Sequence, residues 1–240
     1  MAKRVIGLVG NIGAGKSTLG NFIMSKRGKE ILAEYIPDHN IRYFQEKVDE
    51  AAKELFYGER KVYTDELELI QARLRSLRHT LAAKHNGLVL FDRTLIEGSE
   101  TFRRNSFEDG YMTHHANTEY DQIVRNTTDR LGRDTERITT WLETILVYIR
   151  VKDPFILQSR QIARADPKES IIPVEYFESL NKIYNKFIEA AKEIYGKWGL
   201  RSPRIVILDG SVDINEHPEI LEEHTRKIAM EIKKEMDGVV

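Results

Sequence analysis

A three-layer α/β domain, with one five-stranded parallel sheet flanked by helices, is the fold this 240-residue sequence predicts. Three observations predict it. Short continuous apolar runs alternate with longer amphipathic stretches, as expected of parallel strands buried on both faces and linked by helical crossovers. A glycine-rich loop, Gly10-Asn11-Ile12-Gly13-Ala14-Gly15-Lys16-Ser17, joins the first apolar run to the first helical stretch. No linker, repeat or low-complexity tract divides the chain, so residues 1–240 read as one domain.

The elements follow in order. Val5 to Val9 is a short buried strand, and Ser17 to Met24 a helix with Leu19, Phe22 and Ile23 on one side. Glu30 to Glu34 is a weaker second strand. Asp65 to Lys84 carries Leu67, Ile70, Leu74, Leu77 and Leu81 at helical spacing, and His85-Asn86-Gly87 stops it. Leu88 to Asp92 is a strong strand, followed by a helix from Thr118 to about Trp141. Ile145 to Ile149 is the fourth strand, and Pro173 opens a helix over Val174 to Trp198. Arg204 to Leu208 is the last strand, and Pro218 to Met236 the closing amphipathic helix. The strong runs end at Asp92, Arg150 and Asp209; in open α/β sheets ligands bind at such carboxyl ends.

The loop fits G-x-x-x-x-G-K-[ST] at every specified position, between a strand and a helix as its mechanism requires. Its glycines let backbone N–H groups converge on phosphate oxygens at a helix N-terminus. Gly10, Asn11, Ile12, Gly13, Ala14, Gly15, Lys16, Ser17 and Thr18 thus form a nucleoside-triphosphate cradle. Lys16 is expected to reach the β- and γ-phosphates, and the Ser17 hydroxyl to hold Mg²⁺.

Composition bounds the partners. With 37 basic and 38 acidic residues the formal net charge is −1, which gives no general electrostatic ground for binding a nucleic-acid backbone. The chain has no cysteine, which excludes disulfides and thiolate metal sites. The apolar run after Lys3 and Arg4 is too short for a signal peptide or a membrane span. The expectation is a cytoplasmic protein.

Five further residues carry candidate chemistry. Glu34, at the end of the predicted second strand, is placed to accept a proton from an acceptor hydroxyl, the alternative being a surface carboxylate. Asp92 is placed to act on Mg²⁺, and Arg93 to clamp the acceptor or the transferring phosphoryl group; a structural ion pair is the alternative. Arg160 and Arg164, four residues apart and leading into a proline-containing loop, suit a lid over the phosphates, or else an exposed basic face.

From Ile6 to about Asp213 the chain resembles the deoxyribonucleoside kinase family, which has the three-layer P-loop kinase fold of thymidylate kinase. The Gly-Asn-Ile-Gly-Ala-Gly-Lys-Ser loop is close to that family's own variant. Ile70-Gln71 followed by Arg78 is similar to its substrate-base helix, and Asp92-Arg93-Thr94 to its Glu/Asp-Arg-Ser motif. Arg160, Arg164, Glu169 and Ile172 to Phe177 resemble its lid, here about residues 160–172, and the following helix.

The resemblance implies ATP- and Mg²⁺-dependent phosphorylation of a deoxynucleoside at its 5′-hydroxyl. It makes Glu34 the general base and Arg93 its aid in orienting the hydroxyl. Tyr57 and Glu169 would hold the sugar 3′-hydroxyl, Gln71 and Arg78 would face the base, and Phe102 would stack on it. Lys16, Arg160 and Arg164 would hold the phosphates. It also implies a homodimer through the long helices.

The chain departs from the family at several points. The segment between Glu34 and Tyr57 is longer, Asp166 stands where some members carry another arginine, and Gly98 where some place Asp or Ala beside the base. A rival reading keeps the fold but takes a nucleoside monophosphate, or a hydroxymethylated base within DNA, as acceptor. A rival of another class, a nucleotide-dependent switch, has no use for Glu34, Gln71 and Glu169.

Overall fold

The structure is a computed structural model that describes residues 4–37, 40–46, 60–133, 143–163, 172–214 and 217–238. Five parallel strands form one sheet: β1 (Arg4–Val9), β2 (Ile41–Phe44), β3 (Leu88–Asp92), β4 (Ile145–Arg150) and β5 (Arg204–Asp209), in the order β2-β3-β1-β4-β5. β1 lies between β3 and β4, pairing Ile6 with Leu90 on one side and with Ile145 on the other. β1, β3 and β4 are buried almost throughout, as their continuous apolar sequences require. The carboxyl end of the central strand therefore opens into the crevice that the glycine-rich loop occupies.

The helices are α1 (Lys16–Met24), α2 (Lys26–Tyr35), α3 (Arg60–Ala83), α4 (Leu95–Gly98), α5 (Arg104–Glu108), α6 (His114–Arg133), α7 (Pro154–Ala163), α8 (Val174–Glu189), α9 (Ala191–Lys197) and α10 (Glu219–Met236), with a π-helical turn at Ser99–Arg103. α3 packs along α6, and α2 along α10. Among the described residues, no helix is long and apolar enough to cross a membrane.

Three expectations need correction. Glu30 to Glu34 is not a strand: it belongs to α2, which Ser25 caps by accepting a hydrogen bond from the Gly28 N–H at 3.1 Å. The second strand is β2, a four-residue edge strand that starts seven residues after the predicted one ends. The stretch from Val174 to Trp198 is not one helix but two, broken at Ala190.

α3 forms where its periodicity predicts, yet it presents the opposite face. Ile70, Leu74, Leu77 and Leu81 are 47%, 43%, 53% and 41% exposed, whereas Thr64, Glu68, Arg75 and His79 are buried. Spacing alone cannot say which stripe faces inward. Here the polar stripe does, because it lines the crevice.

Candidate functional site

The glycine-rich loop is built as its motif requires. Gly10, Gly13 and Gly15 have φ of 148°, 77° and 98°, a region that only glycine enters without steric cost. A Cβ on Gly10 would also lie 2.7 Å from the Ile149 carbonyl oxygen. Asn11 ties the loop to α8, donating to the Phe177 carbonyl and to Asn181 Oδ1, both at 2.9 Å. Lys16 is buried and donates to the carbonyls of Gly10 and Asn11 at 2.8 Å each. Burial first, and then the charge of Arg93, lowers its pKa to about 7.

Ser17 Oγ donates to Asp92 Oδ2 at 2.5 Å, which joins the loop to the end of β3. A hydroxyl and a carboxylate oxygen side by side fit Mg²⁺, which takes one or two protein oxygens and completes its shell with phosphates and water. Among the described residues there is no larger His, Cys, Asp or Glu cluster that could hold a metal ion.

Arg93 is the hub. Its φ of 62° makes it the one non-glycine residue with positive φ among those described. That conformation turns its side chain into a buried network. NH1 donates to Tyr184 Oη at 2.9 Å and to Gly10 O and Glu97 Oε1 at 3.3 Å. Its guanidinium lies over the Phe102 ring, 4.1 Å from the centroid. Glu97 is held in turn by a capping box with Thr94 and by the Tyr184 hydroxyl.

The carboxylate at this centre is Glu46, not Glu34. Glu34 is exposed on α2 and paired with Arg226 of α10. Glu46 follows β2 by two residues and receives three arginines. Arg93 Nε reaches Oε2 at 2.7 Å, while Arg75 donates Nε and NH2 to Oε1 at 2.9 and 2.8 Å, and Arg78 NH2 lies at 3.5 Å. Burial raises its pKa, but the charges of Arg75, Arg93 and Arg78 outweigh that and hold it at about 2. No sequence signal marks Glu46, because β2 is a short, half-exposed strand without a continuous apolar run, so strand-end logic has no strand to act on.

The other predicted residues divide. Gln71, Arg75 and Arg78 share one face of α3, spaced four and then three residues apart. Gln71 Oε1 is buried with no hydrogen-bond partner among the described residues, as is Arg78 Nε. Such groups carry a desolvation cost that a bound polar ligand would relieve. One face of Phe102 is taken by Arg93, so a base could stack only elsewhere on that ring. Arg160, on α7, donates to the carbonyls of Gly210 at 2.7 Å and Val212 at 2.9 Å, and to Gly13 and Ser211 at 3.3 Å. It links the glycine-rich loop to the loop after β5. Tyr57, Arg164 and Glu169 lie outside the described residues.

A cavity of about 270 Å³ opens on the far side of the glycine-rich loop, lined by Thr18, Arg160, Asp209, Asp213, Leu221 and His224 among others. The predicted glycine-rich loop, the end of β5 at Asp209 and the predicted closing helix supply most of its wall, whereas the loop after β5 carries no motif of its own.

The comparisons agree with this architecture. A solved deoxyadenosine kinase from M. mycoides with bound dATP superposes with a TM-score of 0.66 at 23% identity, covering 92% of this chain and 97% of that one. The same kinase with dCMP and a flexible dCDP gives 0.63 at 23% identity over 91% and 97%. With dCTP it gives 0.59 at 20% identity over 91% and 97%. No curated protein sequence matches the chain significantly. The sequence model for deoxynucleoside kinase matches residues 6–236, nearly the whole chain. The chain is a kinase and belongs to the deoxynucleoside kinase family.

Proposed function

We propose that this kinase transfers the γ-phosphoryl group of ATP to the 5′-hydroxyl of a deoxyribonucleoside, with Glu46 as the base. The observation that carries this reading is the buried Glu46 carboxylate, held by Arg93 in the crevice that begins at the glycine-rich loop. The backbone N–H groups of that loop and Lys16 bind the triphosphate. Ser17 and Asp92 hold Mg²⁺, which supplies charge neutralisation on the phosphates. Glu46 accepts the 5′-hydroxyl proton, and Arg93 fixes the carboxylate against that hydroxyl.

A carboxylate held at about 2 is a weak base. Phosphoryl transfer tolerates this, because its loose transition state does the bond-breaking before the acceptor proton must leave, and positioning dominates. Gln71 and Arg78 read the base edge, and Tyr57 and Glu169 the 3′-hydroxyl. The cavity beside Arg160 takes the nucleoside end of ATP. The nucleotides held by the M. mycoides enzyme support a deoxynucleoside acceptor. The exposed apolar stripe of α3 supports a homodimer through that helix.

The test is product analysis with ATP and a panel of acceptors: four deoxynucleosides, their monophosphates, 5-hydroxymethyldeoxyuridine and duplex DNA containing that base. A monophosphate formed from a free deoxynucleoside is the expected result. Turnover confined to monophosphates or DNA would overturn the acceptor assignment while leaving the triphosphate site intact.

A further inference from the structure

Different arginines hold the two oxygens of the Glu46 carboxylate, with Arg78 NH2 a longer third contact to Oε1 at 3.5 Å. Arg93, after β3, takes Oε2 at 2.7 Å; Arg75, on α3, takes Oε1 with Nε and NH2 at 2.9 and 2.8 Å. A carboxylate held at one oxygen can still swing about its Cγ–Cδ bond. Held at both by groups from separate elements, it cannot.

Arg75 reaches this position because residue 98 has no side chain. Its NH1 also donates to Tyr120 Oη at 3.1 Å, and its side chain is 5% exposed. A Cβ on Gly98 would lie 2.2 Å from Arg75 NH1, 2.8 Å from Cζ and 3.0 Å from Tyr120 Oη. The backbone of Gly98 is ordinary right-handed helix, φ −57° and ψ −40°, so it places no demand for glycine. The demand is for space, and what fills the space is the Arg75 guanidinium.

We propose that Arg75, seated over Gly98, is a positioning residue that acts through Glu46 by fixing the rotation of its carboxylate for phosphoryl transfer. This rests on the reading of Glu46 as the base. Gly98→Ala is the informative change, because its backbone accepts alanine and the displaced atoms are the tip of a flexible side chain. The variant therefore folds while Arg75 is pushed off Oε1.

The experiment measures kcat and KM for Gly98→Ala and Arg75→Met, alone, together and in a Glu46→Gln background, with circular dichroism as the check on folding. Each single change is expected to lower kcat by about ten- to a hundredfold, the scale of a misplaced catalytic group, with the KM for ATP unchanged. The pair should lose no more than Arg75→Met alone, and neither should lower the residual rate of Glu46→Gln. Unchanged kcat in folded Gly98→Ala overturns the inference, as does the same fold-loss in the Glu46→Gln background. Wild-type turnover by Glu46→Gln itself would instead remove the base assignment, and this inference with it.

Discussion

Arg93 Nε lies 2.7 Å from Glu46 Oε2, so the residue after β3 grips the carboxylate that follows β2. β2 and β3 are neighbours in register, with Phe44 opposite Phe91, and both residues emerge at the same end of the sheet. Arg93 achieves the grip in a left-handed backbone conformation that costs of order 1–3 kcal/mol for a residue other than glycine. The hydrogen bonds it donates to Gly10 O, Glu97 Oε1 and Tyr184 Oη hold it there. Backbone strain retained at this point fits a side chain whose aim matters more than its comfort.

The first prediction separates the two candidate bases. Glu46→Gln should lower kcat by about a hundredfold or more while ATP binding persists, the scale of a general-base contribution. Glu34→Gln should leave both turnover and stability essentially unchanged, since it breaks only an exposed pair with Arg226. Steady-state kinetics and a denaturant titration of both variants check it; the reverse pattern would return the base to α2.

The placement of Glu34 on a helix rather than a strand shows what the sequence could carry. β1, β3 and β4 were legible because strands buried on both faces are continuous apolar runs, and Asp92 and Arg93 came with them. β2 was not, because Ile41-Arg42-Tyr43-Phe44 is a four-residue edge strand with exposed Arg42 in it. Glu34 lies in a helix whose start Ser25 marks as the N-cap, a cue that the short apolar run Ile31-Leu32-Ala33 masks. In the sequence Arg75 is one of three close-set arginines on this helix, with Arg73 and Arg78; only the fold shows that its stripe of α3 is buried. The loop after β5 has no local signature, since the cavity it lines exists only once α10 packs beside it.

A second prediction concerns α3. If its exposed leucines meet a second copy, Leu74→Glu and Leu77→Glu should convert a dimer into monomers at micromolar concentration, read by sedimentation velocity. Burying an unpaired carboxylate costs several kcal/mol, enough to dissociate an interface of ordinary affinity. A wild-type protein that sediments as a monomer would refute the homodimer directly.

Lys16 yields a third. Its pKa of about 7 in the free protein leaves it largely neutral at pH 8. A bound triphosphate favours the charged ammonium and raises that value, so ATP binding at pH 8 should take up close to one proton at this site. Calorimetry in two buffers of different ionisation enthalpy measures the uptake. Lys16→Met should abolish it. Binding with no net proton exchange in the wild type would count against a neutral lysine in the empty loop.

The fourth lies beneath the site. Glu143 is buried, receives a hydrogen bond from the Tyr195 hydroxyl at 2.9 Å and lies 3.4 Å from His79 Nε2. Burial is the main cause that lifts its pKa from 4.5 to about 7. The folded protein therefore holds a proton that the unfolded chain has released, so stability falls as pH rises from about 4.5 to about 7 and levels off above. The drop amounts to at most about 3 kcal/mol. Glu143→Gln keeps the shape and removes the titration, so its stability should vary less across that window than the wild type's. Urea midpoints measured at pH 5, 6, 7 and 8 compare the two directly. Parallel curves for both proteins would mean that Glu143 stays ionised in the fold, with His79 protonated beside it as its counter-charge.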